Sequence, residues 1–113
     1  MITRAKVDLD MSLQACVTRG AALLDDMRPG WRVALQGEDI RMTEGAACVA
    51  GRVFGDWREA NVMVGDWLSP GRAYAGIWTM QEHGFIVSDN YGCQDEDATE
   101  ALLPLWQAEI NRP

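Results

Sequence analysis

Apolar positions recur along most of this chain with the period of an α-helix. From Ser12 to Met27 the residues Leu13, Cys16, Val17, Gly20, Leu24 and Met27 fall at three- and four-residue intervals, which lines one face of a helix. Asp10 or Ser12 can cap its start, and Pro29-Gly30 stops it by removing a donor and permitting a left-handed turn. Gly20 lies on the inner face, where glycine costs about 1 kcal/mol relative to alanine, and that cost predicts the close approach of another backbone. A second helix is expected from about Glu44 to Ala60 or a little beyond, with Val49, Val53, Trp57 and Ala60 in one row and Ala46, Ala50 and Phe54 widening it. On its other side Cys48, Gly51 and Gly55 form a strip of small residues, which predicts a central helix touched closely on two sides. Between these helices, Val33-Ala34-Leu35 and Ile40-Arg41-Met42 flank Gln36-Gly37-Glu38-Asp39 and read as a small hairpin or two extended pieces.

Ser69-Pro70 has the form of a third helix opening, serine as cap and proline at the first helical position, and Tyr74, Ile77, Trp78 and Gln81 then share a face. Gly84 would close that helix in the left-handed position, with Phe85 folding back on Met80. The competing reading is a hairpin that pairs Gly76 to Met80 with Phe85 to Ser88. After a turn-rich stretch at residues 88–92, Asp97 and Glu100 are spaced as a capping box. A last helix then runs to about Asn111, with Ala98, Leu102, Leu105, Trp106 and Ile110 inward and Pro104 kinking it. The pattern as a whole predicts a mainly α fold, a compact four-helix single domain over residues 1–113. A short β-hairpin is the variant, and residues 1–10 form a loose N-terminal segment.

Composition supports one core rather than two. No break in composition divides the 113 residues, and five tryptophans supply large apolar volume in few positions. Charge narrows the partners: 10 Lys+Arg against 17 Asp+Glu leave a formal net charge of -7, which repels phosphate backbones and anionic lipid. The expectation is therefore no direct nucleic-acid binding and no membrane association. With no secretory-type apolar segment near the N-terminus, a cytoplasmic location is expected. Cys16, Cys48 and Cys93 are odd in number and form no C-x-x-C pair, so free thiols are expected rather than a disulfide framework or zinc site.

Candidate chemistry is sparse. Asp89, Asp95, Asp97 and Glu100 have the outer spacing of a calcium loop, but Tyr91, Cys93 and Gln94 stand where oxygen ligands and a glycine are required. An acidic turn in solvent explains them better. His83, the sole histidine, precedes the expected closing glycine, where a helix dipole favours a protonated imidazole. No phosphate loop, nucleophile elbow or paired-histidine metal motif occurs, so no enzymatic activity, cofactor or metal is expected. Tryptophan is then the remaining signal, because it dominates binding hot spots as well as small cores. Trp57 and Trp106 belong to apolar stripes and are assigned to the core. Trp67 falls between the expected helices and is a candidate for the surface, as is one of Trp31 and Trp78, with packing in the core as the ordinary alternative. The candidate protein-binding surface is accordingly Trp67 with the carboxylates of Asp89, Asp95, Glu96 and Asp97.

The order Arg19-Gly20-Ala21-Ala22-Leu23-Leu24-Asp25, Pro29-Gly30-Trp31, Cys48-Val49-Ala50-Gly51-Arg52-Val53-Phe54-Gly55, His83-Gly84-Phe85 and Leu105-Trp106-Gln107-Ala108-Glu109-Ile110 resembles a group of small uncharacterised proteins of actinobacteria and their phages. The likeness covers roughly residues 11–110. It implies a compact helical fold and a phage or prophage origin, and brings no activity or site. Two functional expectations follow: an acidic module that binds and modulates a partner protein, or an acidic mimic of nucleic acid that occupies a DNA-binding protein.

Overall fold

Ser12 starts the first helix of the computed structural model, which describes residues 10–112. Its hydroxyl accepts the Ala15 N–H at 3.2 Å, and α1 (Leu13–Met27) follows. Most of the N-terminal segment expected to be loose lies outside the described residues. The helix buries the expected face, including Cys16, Val17, Gly20, Leu24 and Met27. A β-carbon at Gly20 would overlap the carbonyl of His83, so a second backbone does lie against that glycine.

Gly30, at φ 91°, turns the chain directly into a single helical turn, α2 (Trp31–Leu35). The expected hairpin or extended pair over residues 31–42 is therefore not formed. Arg32 explains why so short a helix persists. Its guanidinium bridges Asp25 of α1 to Glu109 near the C-terminus and lies 4.6 Å from the Trp31 ring centroid.

The long helix expected from Glu44 to Ala60 is two helices, α3 (Val49–Phe54) and α4 (Trp57–Leu68). Gly55 breaks it at φ 113°, and the Asp56 carboxylate then accepts the Glu59 N–H at 2.8 Å to begin α4. The small-residue strip also has a different role. Gly51 faces the backbone of Gly45 and Ala46 in the preceding turn, not a neighbouring helix, and Gly55 is the break itself.

Ser69-Pro70 opens no helix, because positive φ angles at Gly71 and Gly76 keep the intervening chain irregular. The helix starts at Ile77 instead, as α5 (Ile77–Glu82), which also displaces the hairpin reading. Its end is as expected: Gly84 is left-handed at φ 72°, its N–H reaches the Gln81 carbonyl, and the Phe85 N–H reaches that of Met80. The only β contact among the described residues is an isolated bridge between Ser88 and Gln94.

At the C-terminal end Asp95, not Asp97, is the cap. Its carboxylate accepts the Ala98 N–H at 3.0 Å and starts α6 (Glu96–Glu100) two residues earlier than the capping-box spacing suggests. Pro104 does not kink a continuous helix; it sits in the first turn of a new one, α7 (Leu103–Ile110), where its missing N–H costs nothing. Among the described residues there are thus seven helices where four are expected: α1 stands as expected, α2 replaces the extended segment, the second and last expected helices are each divided in two, and the third is shortened to α5.

These pieces close on one core. Trp106 is fully buried, stacked on Phe85 at 5.5 Å and set edge-on to Trp31 at 5.7 Å, and its indole N–H donates to the Gly84 carbonyl at 2.7 Å. This aromatic spine joins α2, α7 and the end of α5 behind α1. A radius of gyration of 13.6 Å, close to the ~13 Å expected for a domain of this length, fits a single mainly helical unit.

Candidate functional site

Helix α4 outruns the core. Ala60, Val64 and Gly65 are buried, whereas every residue from 66 to 74 is exposed, so the last turn of the helix and the loop after it form a projecting ledge. Trp67 therefore lies in the final turn of α4 rather than in a loop, but it is exposed as expected, at 52%. Val62, Leu68 and Tyr74 extend the apolar surface at 43%, 43% and 61%.

Backbone bonding gives the ledge a defined shape. The Asp66 carboxylate accepts the Gly71 N–H at 3.1 Å, the Ser69 N–H donates to the Gly65 carbonyl, and the Arg72 N–H donates to the Ser69 carbonyl. Farther along, the Ala75 and Gly76 N–H groups reach the backbone and side-chain carbonyls of Asn61, both at 2.8 Å. Gly65 makes this return possible, since a β-carbon there would overlap the Tyr74 and Ala75 backbone. A groove of about 530 Å³ opens beneath the ledge, with Met27, Val62, Met63 and Trp67 as its apolar lining and Arg28, Asp66 and Arg72 as its charges.

The acidic residues assigned to the same surface do not line this groove. Asp89 is engaged within its own turn, where its carboxylate accepts the N–H groups of Tyr91 at 2.8 Å and Cys93 at 3.0 Å. Asp95 caps α6, and Glu96 and Asp97 are exposed in its first turn. The Ser88–Gln94 bridge closes the turn between Asp89 and Asp95 into one acidic corner, and Tyr91 within that turn is 90% exposed.

No protein-family model, curated protein or solved structure matches this chain. The site is accordingly read from its geometry. A second cleft, about 500 Å³, opens between α2 and α3 and shares Arg28 with the first; of its other charged side chains, Arg52 is bound to the Asp39 carbonyl and paired with Glu38. The indole N–H of Trp31 on its wall is likewise held by Asp25 at 2.9 Å.

The other tryptophans divide as their surroundings require. Trp31 is buried and Trp78 is 56% exposed, while Trp57 is half-buried against the core rather than enclosed by it. Cys16 and Cys48 are buried and Cys93 is exposed, each as a free thiol, and burial pushes the Cys48 thiol above its ordinary pKa. The Cys48 sulfur accepts the Gly51 N–H at 3.3 Å as the cap of α3. Nδ1 of His83 lies 2.8 Å from the Thr79 carbonyl, a bond within its own helix end. Among the described residues no group of three or more His, Cys, Asp or Glu side chains could hold a metal ion, and no helix is long and apolar enough to cross a membrane.

Sequence reasoning missed Val62, Leu68, Tyr74, Arg28 and Arg72. A signal was present for the first two: Gly55 followed by Asp56 and Glu59 marks a stop and a new start, which carries α4 on to Leu68. Nothing local marks the two arginines, because the groove forms only when α1 and α4 meet the loop at residues 69–76.

Proposed function

We propose that this chain is a protein-binding module whose contact surface is the ledge around Trp67. The observation that carries this reading is a continuous exposed run at residues 66–74 that presents Trp67, Leu68 and Tyr74 while its backbone is held by internal hydrogen bonds. A backbone held in this way has less conformational entropy to lose on binding, and Trp and Tyr side chains are efficient anchors. The acidic corner of Asp89, Asp95, Glu96 and Asp97 acts at longer range. With a net charge of -7, it speeds encounter with a partner whose facing surface is basic. A phage or prophage origin and action in the cytoplasm are consistent with such a modulator.

The nucleic-acid mimic has weaker support. A mimic presents its carboxylates in rows toward the partner, whereas Asp89 accepts the N–H groups of Tyr91 and Cys93 and Asp95 that of Ala98.

Capture from host lysate with the wild-type chain, Trp67→Ala and Trp78→Ala tests the reading. Trp67→Ala should keep its helical circular dichroism and weaken the captured complex by about 2 kcal/mol, as a hot-spot residue does. Trp78→Ala should matter less, and raising the salt concentration should lower the rate of association. Capture indifferent to Trp67→Ala would place the binding surface elsewhere.

A further inference from the structure

The charges around the Trp67 groove run against the charge of the molecule. The chain carries a net -7, and the guanidinium groups of Arg32, Arg41, Arg52 and Arg112 all pair with carboxylates. Among the described residues Arg28 and Arg72, in the groove, do not, and neither do Arg19 and Arg58 outside it, but only the groove sets two such cations beside an apolar trough. Arg28 donates to the Met27 carbonyl, approaches the Met63 sulfur at 3.8 Å and lies 5.1 Å over the Phe54 ring. Arg72 is exposed and makes no side-chain hydrogen bond or ion pair among the described residues. The one carboxylate in the groove, Asp66, is turned to the Gly71 N–H and holds the loop.

An apolar trough flanked by two cations that lack carboxylate partners is complementary to an apolar side chain with a carboxylate beside it. We propose that the groove between α1, α4 and the loop at residues 69–76 takes an acidic, apolar segment of a partner protein. Its apolar side chain packs on Met63, Val62 and the Trp67 ring, while Arg72, with Arg28 behind it, binds the carboxylate. This rests on the ledge being a binding surface and adds what that surface selects. The net charge of -7 repels an isolated acidic segment at long range, so the pairing is local and requires the carboxylate to sit in the groove; the basic surface drawn by the acidic corner lies elsewhere on the same partner.

Calorimetric titration of the whole chain with two short peptides decides the matter. One, blocked at both ends, is built of phenylalanine, leucine and glutamate; its twin has lysine in place of glutamate. The glutamate peptide should bind about tenfold or more tightly than its twin despite the overall charge, and Arg72→Glu should weaken it by about tenfold or more. Arg58→Glu makes the same change of charge at an exposed site of α4 outside the groove, and should have a far smaller effect. A twin that binds equally or better, no binding of the glutamate peptide, or equal effects of the two charge reversals would each overturn the proposal. Sedimentation showing a dimer that dissolves on Arg72→Glu would make the occupant a second copy and would overturn it as well. These failures leave the ledge itself standing if Trp67→Ala still weakens capture; loss of that effect removes both.

Discussion

At Gly20 two opposing effects can be compared by size. In an open helix, glycine to alanine gains about 1 kcal/mol of propensity. Here the added methyl would overlap the His83 carbonyl and press on the Trp106 ring, and a backbone cannot yield as the tip of a flexible side chain can. Overpacking of a core typically costs about 1–3 kcal/mol, with the upper end expected against backbone. Gly20→Ala should therefore destabilise the domain by about 2 kcal/mol net, measured as a fall in the urea midpoint. Stabilisation would mean that α1 and the end of α5 are not in contact. The same reasoning explains why Gly20 was legible from sequence: a glycine on the buried face of a long helix has a cost that only close packing offsets.

Among the elements, starts and stops decide more than periodicity does. Both Asp95 and Asp97 are exposed acids at the front of α6, yet only Asp95 binds the free N–H of Ala98. Removing that cap should cost about 1 kcal/mol, whereas Asp97 interacts with the helix dipole alone and contributes a few tenths. In urea titrations Asp95→Ala should therefore lie below Asp97→Ala, and the reverse order would restore the cap to Asp97. The spacing Asp97 to Glu100 is a capping-box pattern that the backbone does not use, because the Asp95 N–H is tied to the Val87 carbonyl and the Thr99 hydroxyl to Val87. A contact across the fold thus selects between two local signals of similar strength.

For the molecule as a whole, acid stability should depend in part on Asp25. Its carboxylate accepts the Trp31 indole N–H and pairs with Arg32, and these hold its pKa below the ordinary carboxylate value, the indole bond first. A carboxylate whose folded pKa is depressed stabilises the fold above its unfolded pKa of about 4, and that contribution is lost as pH falls through the folded value. The urea midpoint of the wild-type chain should therefore fall below about pH 4. Asp25→Asn should be less stable than wild type near neutrality, and the gap should narrow as the pH drops. A gap that stays constant with pH would show that the charge of Asp25 does not contribute. The effect is modest, since the Asp25 side chain is half-exposed and screened by solvent.

Helical class, a single core, the inward face of α1 and the burial of Leu102, Trp106 and Ile110 were determined by the sequence alone, whereas the burial of Glu109 beside them was not. They rest on interactions within a few residues: apolar spacing, the Ser12 cap, the Pro29-Gly30 stop and the Gly84-Phe85 closure. The exposure of Trp67 was also legible, though for a reason that proved incomplete, since it ends a helix instead of standing between two. Tertiary structure decided what periodicity cannot carry. Positive φ at Gly55, Gly71 and Gly76 divided or delayed helices whose apolar rows continue past them, because a row of side chains is indifferent to the backbone turn that interrupts it. The groove with Arg28 and Arg72 belongs to no local pattern at all. It exists because residues 74–76 return across Gly65 to bond with Asn61, bringing together cations that are far apart in the chain.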